Sequence, residues 1–265
     1  MSRVRIGAVS FLNTRPLVHG LDASHPDYAL SFDTPSNLAD KLRQDELDVG
    51  LIPIVEHLRG VGDSYVPGIG IASDGPVRTV KLYSRVPLES LRDVAVDGRS
   101  RTSVAMLRIL LAEQFGVYPD FYSHRPDLAE MLRTHEAALL IGDLAFRDEG
   151  APIIWDLGEG WRDLTGLPLV AAVWTLREGV DPVRVGAWLR AALDSGLAHL
   201  DEIAARAAGL QGLDAASILS YFRDTLHFRL GERDAAGIET FHKLCLRYNL
   251  IPSNAPARVV VGVQR

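Results

Sequence analysis

Short apolar runs alternate with amphipathic stretches along this chain, and that alternation limits the fold more than any other feature. Val4 to Val9, Asp48 to Ile54, Val94 to Val96 and Ala137 to Ile141 are too short for buried helices and read as strands. Tyr28 to Phe32, Gly68 to Ala72, Thr79 to Ser84 and Ile153 to Leu157 add further strands. Between them lie helical patterns. Ser36 caps one that starts at Pro35, Val104 to Phe115 stops at Gly116, and Asp127 to Leu132 forms another. Strand and helix in alternation specify an α/β fold.

The order also suggests two lobes. The apolar run Leu167 to Leu176 reads as a strand crossing back after a turn at Gly158–Asp163. From Pro182 the chain reads as helices: Val183 to about Ala208, Ala215 to about Thr225 and Asp234 to Tyr248. Residues 1–83 and 175–265 then make a discontinuous lobe I, and residues 84–174 make lobe II. Two hinge-crossing strands join them, with a ligand cleft between.

Polar clusters sit where the strands end. Ser10-Phe11-Leu12-Asn13-Thr14-Arg15-Pro16-Leu17 follows the first strand and opens a helix. Hydroxyl, carboxamide and guanidinium groups crowd there, at a place where open α/β sheets bind anions. Ser73-Asp74-Gly75-Pro76, Ser84, Arg99-Ser100-Arg101-Thr102-Ser103 and Gly142-Asp143 complete the set, and Pro53 ends the strand before a short helix. The Arg99–Ser103 stretch precedes a helix, which suits a carboxylate or phosphate. Each cluster also has a plainer reading as a turn or helix cap.

Composition excludes several classes. A net charge of -6 is wrong for a general nucleic-acid binder, although it leaves room for a local anion site. Cys245 is the only cysteine, so neither a disulfide framework nor a thiolate metal site can form within one chain. The eight histidines show no ligand spacing, and no P-loop, Gly-x-Ser-x-Gly elbow or Gly-x-Gly-x-x-Gly fingerprint occurs. No apolar run is long enough to span a bilayer, and Met1-Ser2-Arg3 leads into a strand rather than a secretion signal. The expectation is a cytoplasmic protein without a membrane or nucleic-acid partner. Nothing in the pattern excludes an oligomer.

The stretch Ser10–Leu17 resembles the signature of chorismate dehydratases, enzymes of the futalosine route to menaquinone. Leu51-Ile52-Pro53, Ser73–Val77 with Val80 and Leu82–Ser84, and Asp97–Thr102 before a helix resemble the same family in the same order. The resemblance implies a type II periplasmic-binding-protein fold working as a lyase without metal or organic cofactor. That lyase converts chorismate to 3-[(1-carboxyvinyl)oxy]benzoate, with a small dicarboxylate as its partner. It places Asn13 as the catalytic residue near the leaving hydroxyl. It leaves Ser10, Thr14, Arg15, Pro53, Ser73, Ser84, Ser100, Arg101, Thr102, Ser103 and Asp143 as substrate-binding candidates. No strong base stands out; the substrate's own carboxylate is the family's proposed base, and Asp143 is the fallback. The Arg101 guanidinium on a carboxylate would be worth roughly 2–5 kcal/mol of affinity. The competing reading is a non-enzymatic solute-binding protein for a small carboxylate, which would share the fold.

Overall fold

The computed structural model describes residues 3–146 and 150–254. Met1 and Ser2, and the last eleven positions of the expected lobe I, lie outside the described residues. The chain runs β1 (Val4–Val9), α1 (Arg15–Val18), β2 (Tyr28–Asp33), α2 (Pro35–Arg43), β3 (Val49–Pro53), α3 (Ile54–Leu58) and β4 (Ser64–Ser73). It continues through β5 (Val80–Ser84), β6 (Asp93–Asp97), α4 (Thr102–Phe115), β7 (Asp120–His124), α5 (Leu128–Thr134), β8 (Ala137–Ile141) and β9 (Ile153–Asp156). It ends with α6 (Leu157–Thr165), β10 (Leu169–Leu176), α7 (Pro182–Ala198), α8 (Leu200–Gln211), α9 (Ala215–Ser220), β11 (Leu226–Arg229) and α10 (Glu232–Arg247).

Two sheets result. One has the order β11-β4-β10-β3-β1-β2 and the other β7-β6-β8-β5-β9. Each is covered by helices, as α/β layering requires of strands apolar on both faces. In the second sheet Val94, Val96, Leu139 and Ile141 face the main core, while Ala95, Ala138 and Leu140 face a smaller cluster with Tyr83 and Met131. The two-lobed α/β architecture expected from the alternation is therefore present.

The lobe boundaries differ from the expectation. All of β5 pairs with β8, and Lys81–Ser84 also with β9; β10 pairs with β3 or β4 throughout except at Ala171, where the register shifts. Residues 80–83 thus belong to the second sheet and residues 169–174 to the first. The chain crosses in the loops just before β5 and β10, rather than within those strands.

Local corrections follow the same logic. The expected turn at Gly158–Asp163 lies inside α6, because Asp156 accepts hydrogen bonds from the N–H groups of Gly158 and Glu159 at 2.8 and 3.3 Å. Gly160 tolerates the helix there by letting the Trp155 indole approach closer than a Cβ would allow. Thr34, not Ser36, caps α2, accepting from Asn37 N. The expected helix from Val183 breaks at His199, whose φ/ψ of -123/28 leave the helical region. The strands β7 and β11 were not anticipated.

Candidate active site

The carboxyl ends of the strands meet between the sheets. Val9 ends β1, Pro53 ends β3, and Ala172 of β10 pairs with Pro53. From the other side come Ile141, at the end of β8, and its partner Val80, at the start of β5. These residues line one cavity between the sheets, partly open to solvent.

Polar groups enter from two turns. A single 3₁₀ turn, Leu12–Thr14, follows β1 and carries Asn13 into the cavity wall. The turn Arg99–Ser103 leads into α4 and lines the opposite side. No side chain caps α4, so the N–H groups of its first turn and the positive end of its dipole are available there. The Ser100 hydroxyl is buried, lines the cavity, and has no hydrogen-bond partner among the described residues. A buried hydroxyl of this kind is costly unless a ligand completes it.

The two arginines of this turn are already engaged. Arg99 forks onto Asp97, with Nη2 to Oδ2 at 2.6 Å, and its guanidinium lies 5.1 Å from the centre of the Phe11 ring. Arg101 reaches across to the first lobe. It forks onto Asp40 at 2.7 and 3.1 Å and contacts Glu56 at 3.1 Å. Glu56 is fully buried and also held by Arg43 at 2.6 Å and Arg59 at 2.7 Å. Burial alone would push this carboxyl up; the arginines override that and hold it below the usual range. Arg101 thus lines the cavity but is tied to lobe I carboxylates rather than free for a ligand. Thr102 makes a similar bridge, its hydroxyl donating to Ala171 O at 3.2 Å and accepting from Val55 N at 3.4 Å.

Asp143 stands behind the wall rather than in it. Its Oδ1 accepts the N–H of Leu12 at 3.0 Å, so a lobe II carboxylate fixes the start of the turn that carries Asn13. Burial pushes its carboxyl above the ordinary value, against the Leu12 N–H and the charges of Arg15 and Arg99. Gly142 makes this packing possible. Its φ is +69°, and a Cβ there would stand 3.0 Å from the Phe11 ring.

Of the sequence-predicted residues, Asn13, Pro53, Ser100, Arg101, Thr102 and Ser103 share this cavity. Ser10 is exposed and donates to Asp33 O at 3.1 Å. Thr14 is buried beneath the turn, with its hydroxyl 3.4 Å from Asn13 Oδ1. Arg15 lines a second, separate cavity with residues of α8. Ser73 is buried at the end of β4 and outside the lining. Ser84 lies at the far edge: β5 is antiparallel to β8, so Val80 meets Ile141 at the cavity while Ser84 meets Ala137 at the opposite end. Its hydroxyl donates to Val86 O at 2.6 Å. Arg99 and Gly142, members of the polar clusters but not substrate-binding candidates, also line the cavity, as do Phe11 of the opening stretch and Thr79, which the sequence marks only as the start of a strand. Apart from arginine, no titratable side chain among the described residues lines it.

A family model described as menaquinone biosynthesis matches residues 4–247. A chorismate dehydratase from Thermus thermophilus is 29% identical over 261 residues, covering 89% of this chain and 93% of that protein. Among solved structures, protein AF1704 from Archaeoglobus fulgidus superposes with a TM-score of 0.72 at 17% identity, over 94% of this chain and 98% of that one. The periplasmic aliphatic sulphonate binding protein SsuA from Escherichia coli does so with a TM-score of 0.66 at 18% identity, over 100% of this chain and 94% of that one. At these identities the structural likeness establishes the fold. Among the described residues, no helix is long and apolar enough to cross a membrane.

Proposed function

As this chain belongs to the menaquinone biosynthesis family, we propose that it is a carbon–oxygen lyase of the cytoplasm that dehydrates chorismate to 3-[(1-carboxyvinyl)oxy]benzoate on the futalosine route. The observation that carries the reading is the cavity itself: Asn13 shares it with an uncapped helix start and a buried Ser100 hydroxyl that has no partner among the described residues, inside a chain akin to a chorismate dehydratase.

Chorismate brings two carboxylates and a ring that becomes aromatic on losing water, so much of the driving force lies in the substrate. The protein's task is grip and orientation. One carboxylate sits at the α4 amino end, held by free N–H groups, Ser100 and Ser103; the dipole contributes up to about 2 kcal/mol in such a partly buried place. The Asn13 carboxamide donates to the departing C4 hydroxyl, which leaves with the ring proton from C3 as water. Among the described residues the lining offers only arginine as a titratable group, which supports the family's reading that the substrate's own enolpyruvyl carboxylate takes the C3 proton and hands it to the departing hydroxyl, completing the water. Asp143, engaged by Leu12 N–H, holds the turn in place instead of acting as the base.

A solute-binding role would use the same cavity. Incubation with chorismate separates the two: a new benzoate-type absorbance and the matching product mass support the lyase, and binding without conversion overturns it.

A further inference from the structure

We propose that Tyr221, a residue outside the cavity, is a positioning residue that turns the Thr79 hydroxyl into a hydrogen-bond donor aimed at the ligand. This rests on the cavity being the substrate site, as argued above.

Thr79 lines the cavity on the crossing segment before β5. Its Oγ1 lies 2.7 Å from the Tyr221 hydroxyl and 3.4 Å from Val77 O. Tyr221 is 1% exposed and opens a single π-helical turn, Tyr221–Thr225, that leads into β11. Its ring stands edge-on to Phe146 at 5.2 Å and tilted against Phe222 at 5.9 Å. Such packing leaves the phenol little freedom, and π-turns recur at functional sites.

The direction of the bond follows from counting protons. A phenol carries one proton, and leaving it unpaired in a dry site is costly. Among the described residues the Tyr221 hydroxyl has one hydrogen-bond partner, Thr79 Oγ1. Burial also keeps the phenol protonated by raising its pKa well above the ordinary value. Tyr221 therefore donates, and Thr79 accepts. The threonine proton is left with the Val77 carbonyl at a long 3.4 Å, so it is free to turn toward an acceptor in the cavity. A hydroxyl that accepts one bond also donates a stronger one. The chemistry favoured at that point of the wall is an anionic or carbonyl oxygen, because the threonine proton is the group left to be satisfied there.

The test is a double-mutant cycle on Tyr221→Phe and Thr79→Val, read on chorismate turnover and on chorismate affinity by tryptophan fluorescence. Each single change is expected to lower kcat/KM by about five- to tenfold, the worth of one hydrogen bond. The double variant is expected to be no worse than Thr79→Val, because Tyr221 acts only through Thr79. Thr79→Ser, which keeps the hydroxyl, is expected to stay within about twofold of wild type and to keep its sensitivity to Tyr221→Phe. Full activity in Tyr221→Phe overturns the proposal. So do effects that multiply in the double variant, which mark a merely structural tyrosine. If the wild-type chain neither binds nor converts chorismate, the functional reading falls and this inference falls with it; if it does both, the cycle alone decides.

Discussion

Replacing Arg101 with alanine separates two roles that the sequence leaves mixed. The change removes the fork on Asp40, at 2.7 and 3.1 Å, and the 3.1 Å contact to Glu56. The Asp40 side chain is 39% exposed, so that part is screened and worth little. Glu56 is buried, but Arg43 and Arg59 still hold it, so the full cost of an orphaned buried charge, about 3–5 kcal/mol, is not reached. What remains is about one charge-assisted hydrogen bond, roughly 1–2 kcal/mol. At about 2–4 °C per kcal/mol for a chain of this size, the melting temperature should fall by about 2–8 °C. Chorismate KM should change only modestly. Thermal unfolding by circular dichroism and steady-state turnover measure both quantities. Arg101→Lys should fall between, since an ammonium cannot fork. An unchanged melting temperature together with a KM raised tenfold or more would refute the reasoning, and would restore Arg101 as a carboxylate ligand.

Asn13→Asp should abolish most turnover while leaving the melting curve intact, because it sets a carboxylate beside the departing hydroxyl; full activity would remove Asn13 from the chemistry. Asp143→Asn keeps an oxygen to accept the Leu12 N–H and should retain substantial turnover, whereas Asp143→Ala should lose it; an inactive Asp143→Asn protein that folds would make Asp143 the base. Gly142→Ala places a methyl at a φ of +69° and 3.0 Å from Phe11, so stability should drop by more than about 1 kcal/mol in urea titration. Asp48, paired with Arg5 and Arg177, and Glu56 are both held below their ordinary values of 3.8 and 4.5. Groups depressed in the folded state contribute stability above those values and lose it as pH falls through the folded ones. Unfolding free energy should therefore decline below about pH 4.5, less steeply in Asp48→Asn.

The layers of the fold were legible because burial on both faces writes itself as short apolar runs, and β1, β3 and β8 begin and end within a residue or two of those runs. The turn before α4 was legible because hydroxyls and arginines in an otherwise apolar setting have few plain uses. Ser84 was misplaced for a definite reason. Its strand runs antiparallel to β8, and strand direction, unlike strand existence, leaves no trace in local periodicity. The ion pairs of Arg101 are not legible in the sequence because Asp40 and Glu56 are 61 and 45 residues away, and no local pattern announces a pairing of that kind. The break at His199 is hidden by an alanine-rich sequence with no proline at that point, in which Gly196 sits inside the last turn of α7 and not after it.

The opening stretch shows how one sequence motif can divide its work among faces of the structure. Residues 10–15 look like a single polar cluster, yet a 3₁₀ turn passing directly into α1 rotates successive side chains to different sides. Ser10 stays at the surface, Asn13 enters the cavity, Thr14 is buried beneath it, and Arg15 turns to a second cavity beside α8. The turn is held from outside by Asp143 on the Leu12 N–H and by Phe11 wedged between Gly142 and Arg99. Both restraints come from lobe II, while Asn13 belongs to lobe I. The placement of the one residue assigned to the chemistry therefore depends on the lobes being together, and a ligand that bridges Asn13 and the α4 amino end draws together the same two surfaces that orient Asn13.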